Sequence, residues 1–251
     1  MGGEMTRVIV ETAGVSPGDR VLDIACGAGE PAISIAEKLA GTGELVGIDL
    51  SPASVEIARE RAAQRKLTNV VFQQCDAHAL PFATDSFDLI TSRLGVMFFS
   101  DLPRALGEMR RVLKPGGRAT LVAWGPLEQQ PYFETTIGTV LRLFPDIALP
   151  ESGRMIFTFG RKGVLARALR DAGFSQAEEQ FSIVPWTWPG SPEEVWEYFQ
   201  QVAVPFAGLF QSIPEAGRPQ VDREVLGAIR KYYDGSEIKF TAAINLTVAV
   251  K

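Results

Sequence analysis

Histidine and cysteine are nearly missing from this chain. Its 251 residues include one histidine, His78, and two cysteines, Cys26 and Cys75. A zinc centre of the usual kind draws four ligands from His and Cys, and a disulfide framework needs spaced pairs, so neither organises this fold. No cluster of acids marks a catalytic divalent metal. Long apolar runs are missing too. None approaches the roughly 18 residues of a membrane-spanning helix. The first stretch, MGGEMTRVIVETAG, lacks the apolar core of a signal peptide, and the cytoplasm is the expected location. Positive charge is in deficit: 25 Lys and Arg stand against 30 Asp and Glu, a formal net charge of −5. With no basic block, nucleic acid and anionic membrane surfaces are poor partners. Repeats, low-complexity tracts and linkers are absent as well, which predicts one domain over residues 1–251.

What is present is a strand, a glycine turn and a helix in close succession. Arg20 to Ala25 is an apolar run with one acid inside it, Asp23. Cys26, Gly27, Ala28 and Gly29 make a turn, and Pro31 stands where the first turn of a helix begins. Ile33, Ile35, Ala36 and Leu39 continue at helical spacing, and Gly41 ends the run. Glycines let a backbone approach a ligand closely, and a helix N-terminus offers unpaired N–H groups. Gly27 to Ala32 also reads as the G-x-G-x-x-[GA] dinucleotide fingerprint. Asp23 weighs against that reading, because an acid four residues before Gly27 suits a cationic group better than a pyrophosphate.

The same alternation continues. Strands are predicted at Glu44 to Asp49, Val70 to Cys75, Phe87 to Ser92 and Arg118 to Trp124. The helix capped by Ser51 presents Val55, Ala58 and Ala62 on one face, with Glu60, Arg61 and Arg65 on the solvated side. Another opens at Asp101 with Leu102, Leu106, Met109 and Leu113 as its stripe, and Pro115-Gly116-Gly117 stops it. Strands alternating with helices predict an α/β fold, a doubly wound and mostly parallel sheet. Ligands bind such sheets at the carboxyl ends of the strands. That rule gathers the glycine turn, Asp49, Asp76 and Ser92-Arg93 onto one edge. Further on, helices are expected over Tyr132 to Phe144 and Gly163 to Ala172. Phe181 to Trp188 and Phe240 to Val250 read as strands able to pair antiparallel. Between them, at about 189–236, lies a helical insertion with a capping box at Ser191 to Glu194 and a second helix from about Val221 to Tyr233. Residues 1–125 thus form a cofactor-binding half, and 126–251 complete the sheet and add a substrate lid.

VLDIACGAG, GIDLSP, DAHALPF, FDLITSR and VLKPGG occur in the order and spacing of the ubiquinone/menaquinone-biosynthesis type of class I S-adenosylmethionine (SAM) methyltransferase. The resemblance runs from about Val8 to Trp124 and implies a seven-stranded Rossmann-like sheet with SAM as cofactor and S-adenosylhomocysteine as product. It implies that Asp23, Ala25, Cys26, Gly27 and Gly29 surround the methionine part. Asp49 and Leu50 go to the ribose and adenine, and Asp76 and Ala77 to the adenine. Arg93, Leu94 and Met97 line the passage toward the acceptor. Asp49 lies 20 residues past Gly29, the spacing at which an acid takes a ribose diol in SAM and NAD sites alike. One departure stands out. Twenty residues precede Val21, where relatives carry some tens that close over the cofactor; either a cap is missing or the insertion does its work.

Methyl transfer from a sulfonium is an in-line displacement with an activated leaving group, so alignment and exclusion of water are the protein's main tasks. His78 is the tempting general base, although its place beside Asp76 puts it near the adenine rather than the methyl. Arg93 either holds a substrate anion or pairs with a core acid. Phe98, Phe99, Trp124 and the aromatics of the last part favour a small hydrophobic or aromatic acceptor, methylated at O, C or N. Two other readings stay open: a module that holds SAM and transfers nothing, and an NAD-dependent oxidoreductase. The acceptor, a general base and the oligomeric state are not readable from these residues.

Overall fold

The computed structural model describes residues 2–251. In chain order the strands are β1 (Arg20–Ile24), β2 (Glu44–Asp49), β3 (Val70–Gln74), β4 (Phe87–Arg93), β5 (Leu113–Trp124), β6 (Gln176–Pro189) and β7 (Glu237–Val250). They pair in the order β3-β2-β1-β4-β5-β7-β6. The five strands β1 to β5 are parallel to their neighbours, with Asp23 opposite Thr91 and Thr91 opposite Thr120. β7 runs antiparallel to β5: Gly125 N–H donates to the Ala243 carbonyl and Lys251 N–H to the Gly117 carbonyl, so one strand ascends as the other descends. The sheet is seven-stranded, mixed and mostly parallel, as the sequence predicts.

Helices α1 (Gly3–Ala13), α2 (Ala32–Leu39), α3 (Pro52–Gln64) and α4 (Leu102–Val112) come from the first half. α5 (Pro131–Phe133) and α6 (Thr139–Leu143) flank a π-helical turn, Glu134–Gly138. There the Thr135 and Thr136 hydroxyls donate to the Pro131 and Tyr132 carbonyls, each at 2.7 Å, and compete with the helical ladder. α7 (Glu151–Met155) and α8 (Val164–Asp171) follow. α9 (Pro192–Val202), α10 (Ala207–Gln211) and α11 (Arg218–Ile229) lie between β6 and β7. The Ser191 capping box forms: Ser191 Oγ accepts from Glu194 N–H at 3.2 Å, and Glu194 accepts from Ser191 N–H at 2.7 Å. No described helix is long and apolar enough to cross a membrane.

The chain packs as two compact units. One comprises Met5–Ala123, Arg161–Phe181 and Asn245–Lys251. Its core is aliphatic: Leu22, Ile24, Ile33, Ile35, Leu45 and Leu89 are almost fully buried, each contributing about 1.5–3 kcal/mol by removal from water. The other includes Trp124–Gly160 and Ser182–Ile244, and its core is aromatic. Tyr132 touches the rings of Phe133, Trp186, Phe199 and Phe240 at centroid distances of 5.1–5.9 Å. Trp124 stacks on Trp186 at 4.8 Å.

One local outcome differs from the sequence reading. α4 ends at Val112, and Leu113 already belongs to β5. There the Arg111 and Val112 carbonyls accept from the Asp85 and Ser86 N–H groups at 3.1 and 2.7 Å, and the Lys251 ammonium donates to the Leu113 carbonyl at 2.7 Å. The helix thus ends before Pro115-Gly116-Gly117 is reached. Arg61 lies on the solvated side, as expected, and from there donates to the Ala28 carbonyl at 3.0 Å, fastening the glycine turn to α3.

Candidate functional site

The turn after β1 is built from backbone conformations that few residues adopt. Ala25 (φ 57°), Gly27 (φ 52°) and Gly29 (φ 109°) all lie at positive φ, so the chain reverses within five residues and enters α2. Gly29 N–H donates to the Cys26 carbonyl, and Cys26 N–H to the Ile48 carbonyl, both at 2.9 Å. Asp49, at the end of β2, ties this turn to its own strand. Its Oδ2 accepts from Gly27 N–H and its Oδ1 from Ser51 N–H, each at 2.9 Å. A carboxylate has about four lone-pair positions. One on each oxygen therefore remains, side by side, the pattern that accepts from a vicinal diol.

The loop after β4 approaches this turn closely. A Cβ at Gly95 would collide with Ala25 Cβ and lie 2.8 Å from Ser92 Oγ. Only glycine at 95 with a small residue at 25 allows the two loops to meet. Between them, at the carboxyl edge of β1 to β4, is a cavity of about 210 Å³. Five of the twelve residues singled out from the sequence line it: Ala25, Asp49, Leu50, Asp76 and Ala77. The wall also includes His78, Phe98 and Phe99, which the sequence brought into view in other roles, and Ile24, Ile48, Cys75 and Gly95. Gly95 carried a signal, since a glycine shortly after a strand end marks a close backbone approach. Leu50 is 68% exposed and Phe98 is 52% exposed, unusual for large apolar side chains on a cavity rim.

The remaining seven lie off this wall. Cys26, Gly27 and Gly29 form the turn beside it. The Cys26 thiol is buried, and burial pushes its pKa up, so it is a poor nucleophile. Leu94 sits at φ 60°, with its N–H donating to the Val122 carbonyl at 2.8 Å, and Met97 is buried. Asp23 is fully buried in β1. Its Oδ1 accepts from the Thr91 hydroxyl at 2.7 Å, while no described residue donates to Oδ2. Burial raises its pKa to about 7, against opposing pulls from Thr91 and the Arg93 charge. Arg93 is itself held down by burial and supported by the charges of Asp23 and Glu30. That proximity favours pairing with a core acid, one of the two roles open to Arg93.

Asp76 follows β3. Its Oδ1 accepts from the peptide N–H of His78 at 2.9 Å and from the ring Nδ1 at 2.5 Å. These bonds, the peptide one foremost, hold the carboxyl below its usual range. The His78 Nε2 accepts from Asp101 N–H at 3.2 Å, so both ring nitrogens are engaged and neither is positioned as a free base.

Residues 15–135 match the family model described as a methyltransferase domain. A relative from Mycobacterium tuberculosis, described as an uncharacterized protein, is 35% identical over 170 residues, 66% of this chain and 60% of its own length. The ubiquinone/menaquinone biosynthesis C-methyltransferase UbiE of Xanthomonas oryzae is 42% identical over 117 residues, 46% of each chain. Among solved structures, phosphoethanolamine N-methyltransferase 2 of Haemonchus contortus, in complex with S-adenosyl-L-methionine, aligns with 98% of this chain and 52% of its own. Its TM-score is 0.58 and its identity 21%, a likeness of fold. The chain thus spans about 46–60% of the length of these curated relatives.

Proposed function

We infer that this chain, whose residues 15–135 match a methyltransferase-domain family model, is a class I SAM-dependent methyltransferase that binds SAM at the carboxyl edge of β1 to β4 and transfers its methyl group to a small acceptor. The observation that carries this reading is the meeting of Asp49 and Asp76, 27 residues apart (76 − 49), on one cavity wall beside the glycine turn. Asp49 offers its two remaining lone pairs to the ribose diol. Asp76 accepts from the adenine amino group, and the Ala77 N–H serves a ring nitrogen. Leu50 gives the base an apolar face. Cys26, Gly27 and Gly29 bring peptide groups against the methionine part. Asp23, buried in β1 beside the Arg93 charge, adds negative charge behind the turn and would disfavour a pyrophosphate there. Arg93, Leu94 and Met97 border the way to the acceptor.

SAM, when bound, supplies a methyl carbon already activated on sulfur. The chain's residues then hold that carbon in line with the nucleophile and keep water out, effects that together reach roughly 7–11 kcal/mol in favourable systems. No proton is assigned to His78, whose ring is fully engaged. The acceptor is a hydrophobic or aromatic small molecule. The name of the Xanthomonas relative, a quinone-pathway C-methyltransferase, supports this.

Calorimetry with SAM, S-adenosylhomocysteine and NAD tests the cofactor. The two sulfur nucleosides are expected to bind and NAD not to; binding of NAD alone would overturn the assignment. Release of S-adenosylhomocysteine in the presence of phenols, quinones or amines then tests transfer. Binding without release from any acceptor would favour a module that holds SAM without using it.

A further inference from the structure

His78 is the chain's one histidine, and methyl transfer leaves it without a task. It is nevertheless held on every side. Its peptide N–H and its ring Nδ1 both donate to Asp76 Oδ1, at 2.9 and 2.5 Å. Its Nε2 accepts from the N–H of Asp101, the N-cap of α4, at 3.2 Å. Donation at one nitrogen and acceptance at the other assign the neutral Nδ1–H tautomer from the hydrogen-bond network. The His78 carbonyl takes Arg104 Nε at 2.8 Å, and the Phe99 ring meets the imidazole edge-on at 5.9 Å. The His78 side chain is 16% exposed, while the Asp76 side chain it grips is 54% exposed.

Two bonds onto Oδ1 fix the plane of the Asp76 carboxylate. Oδ2 accepts from no described residue's polar group in the hydrogen-bond network around His78, and Asp76 and His78 both line the cavity. An exposed aspartate otherwise turns freely about its last torsion, and that freedom is lost when a ligand binds. We propose that His78 is a positioning residue that locks Asp76 with Oδ2 toward the purine 6-position, so that the site selects a 6-amino nucleoside over its 6-oxo counterpart. This rests on the reading of Asp76 as the adenine acceptor. The bonds from His78 also keep the carboxyl ionised, hence acceptor-only. Facing a 6-oxo group, it would set oxygen against oxygen, a mismatch that specific sites reject strongly.

The test compares S-adenosylhomocysteine with S-inosylhomocysteine, identical except for the 6-oxo group, by titration calorimetry. The wild-type chain is expected to prefer the former by on the order of a hundredfold or more. His78→Asn sets an amide nitrogen near the Nδ1 position and keeps the bond to Asp76. His78→Gln sets an amide oxygen near the Nε2 position, which keeps the bond from Asp101 and removes the side-chain bond to Asp76, while the peptide N–H bond to Oδ1 is common to both variants. Positioning through Asp76 predicts that His78→Asn retains the preference within about threefold. His78→Gln should lose about tenfold or more of it, toward the level of Asp76→Ala. The double variant H78Q/D76A should then lose nothing beyond Asp76→Ala alone, a comparison that stands even if His78→Asn fails to fold. Retention of the preference in His78→Gln, or further loss in the double variant, would show a merely structural latch and overturn the proposal while leaving the adenine reading in place. Equal binding of the two nucleosides by the wild-type chain would overturn the adenine reading itself.

Discussion

Asp23 is a carboxyl in the middle of a strand, with one oxygen satisfied by Thr91 and the other left without a donor among the described residues. Burial is the largest influence on it and raises its pKa from 3.8 to about 7. Between those two values the folded chain keeps a proton that the unfolded chain has released. Stability contributed by Asp23 is therefore greatest below the unfolded pKa. It declines as pH rises through this window and levels off above about 7. The slope reaches at most about 1.4 kcal/mol per pH unit. Urea unfolding of the cofactor-free wild-type chain and of Asp23→Asn, from about pH 5 to pH 8, should show the wild type losing ground to the variant as pH rises. A difference that stays constant or changes in the other direction would refute the assignment. The acid itself was legible as an interruption in an apolar run. Its neighbours were not, because Thr91 and Arg93 are 68 and 70 residues away (91 − 23 and 93 − 23) and meet it only through the register of β1 with β4.

The elements of the first half were legible because each carries its own signals. Ser51 caps α3 by accepting from Ser54 N–H at 3.2 Å, and Asp101 caps α4 by accepting from Arg104 N–H at 3.1 Å. Both residues stand directly before an apolar periodic run. The end of α4 was not legible, since the groups that take its last carbonyls, the Asp85 and Ser86 N–H and the Lys251 ammonium, lie far from it in sequence. The short helices α7 and α10, unlike α9, have no side-chain cap, and packing rather than local code holds them. The same distinction between local and distant causes separates two glycines of the site. At Gly27 an added Cβ meets nothing within 4 Å, and the objection is the positive φ alone. That costs about 1–2 kcal/mol for an L-residue. At Gly95 the Cβ meets Ala25 and Ser92 across a loop contact, an overpacking that costs about 1–3 kcal/mol and moves backbone. Gly95→Ala is therefore expected to weaken S-adenosylhomocysteine binding about tenfold or more, because it forces the two cavity loops apart. Gly27→Ala should lower the thermal midpoint as well, through the strain of its positive φ. Calorimetry with thermal melts of both variants checks this, and unchanged binding in Gly95→Ala would contradict the close approach at Gly95.

At the scale of the whole molecule, the two compact units differ in the probes they carry. All four tryptophans and all four tyrosines lie in the aromatic unit, within Trp124–Gly160 and Ser182–Ile244. Both cysteines and the one histidine lie in the unit that contains the cavity. Intrinsic fluorescence therefore follows one unit, and thiol labelling follows the other. Cys26 is 1% exposed and adjoins the glycine turn, so it reacts only when that unit opens. A ligand present at about a hundred times its dissociation constant stabilises the state it binds by about 2.7 kcal/mol. Saturating S-adenosylhomocysteine is expected to slow Cys26 labelling by a factor corresponding to that free energy, on the order of a hundredfold, when opening is rapid relative to labelling. If the units unfold as one, the tryptophan transition in urea moves by the same free energy; if they unfold separately, it stays behind. Both outcomes are consistent with a cofactor seated on Asp49 and Asp76. A ligand that shifts the tryptophan transition while leaving Cys26 labelling unchanged would place its binding free energy in the aromatic unit, and the carboxyl edge of β1 to β4 would no longer be the cofactor's site.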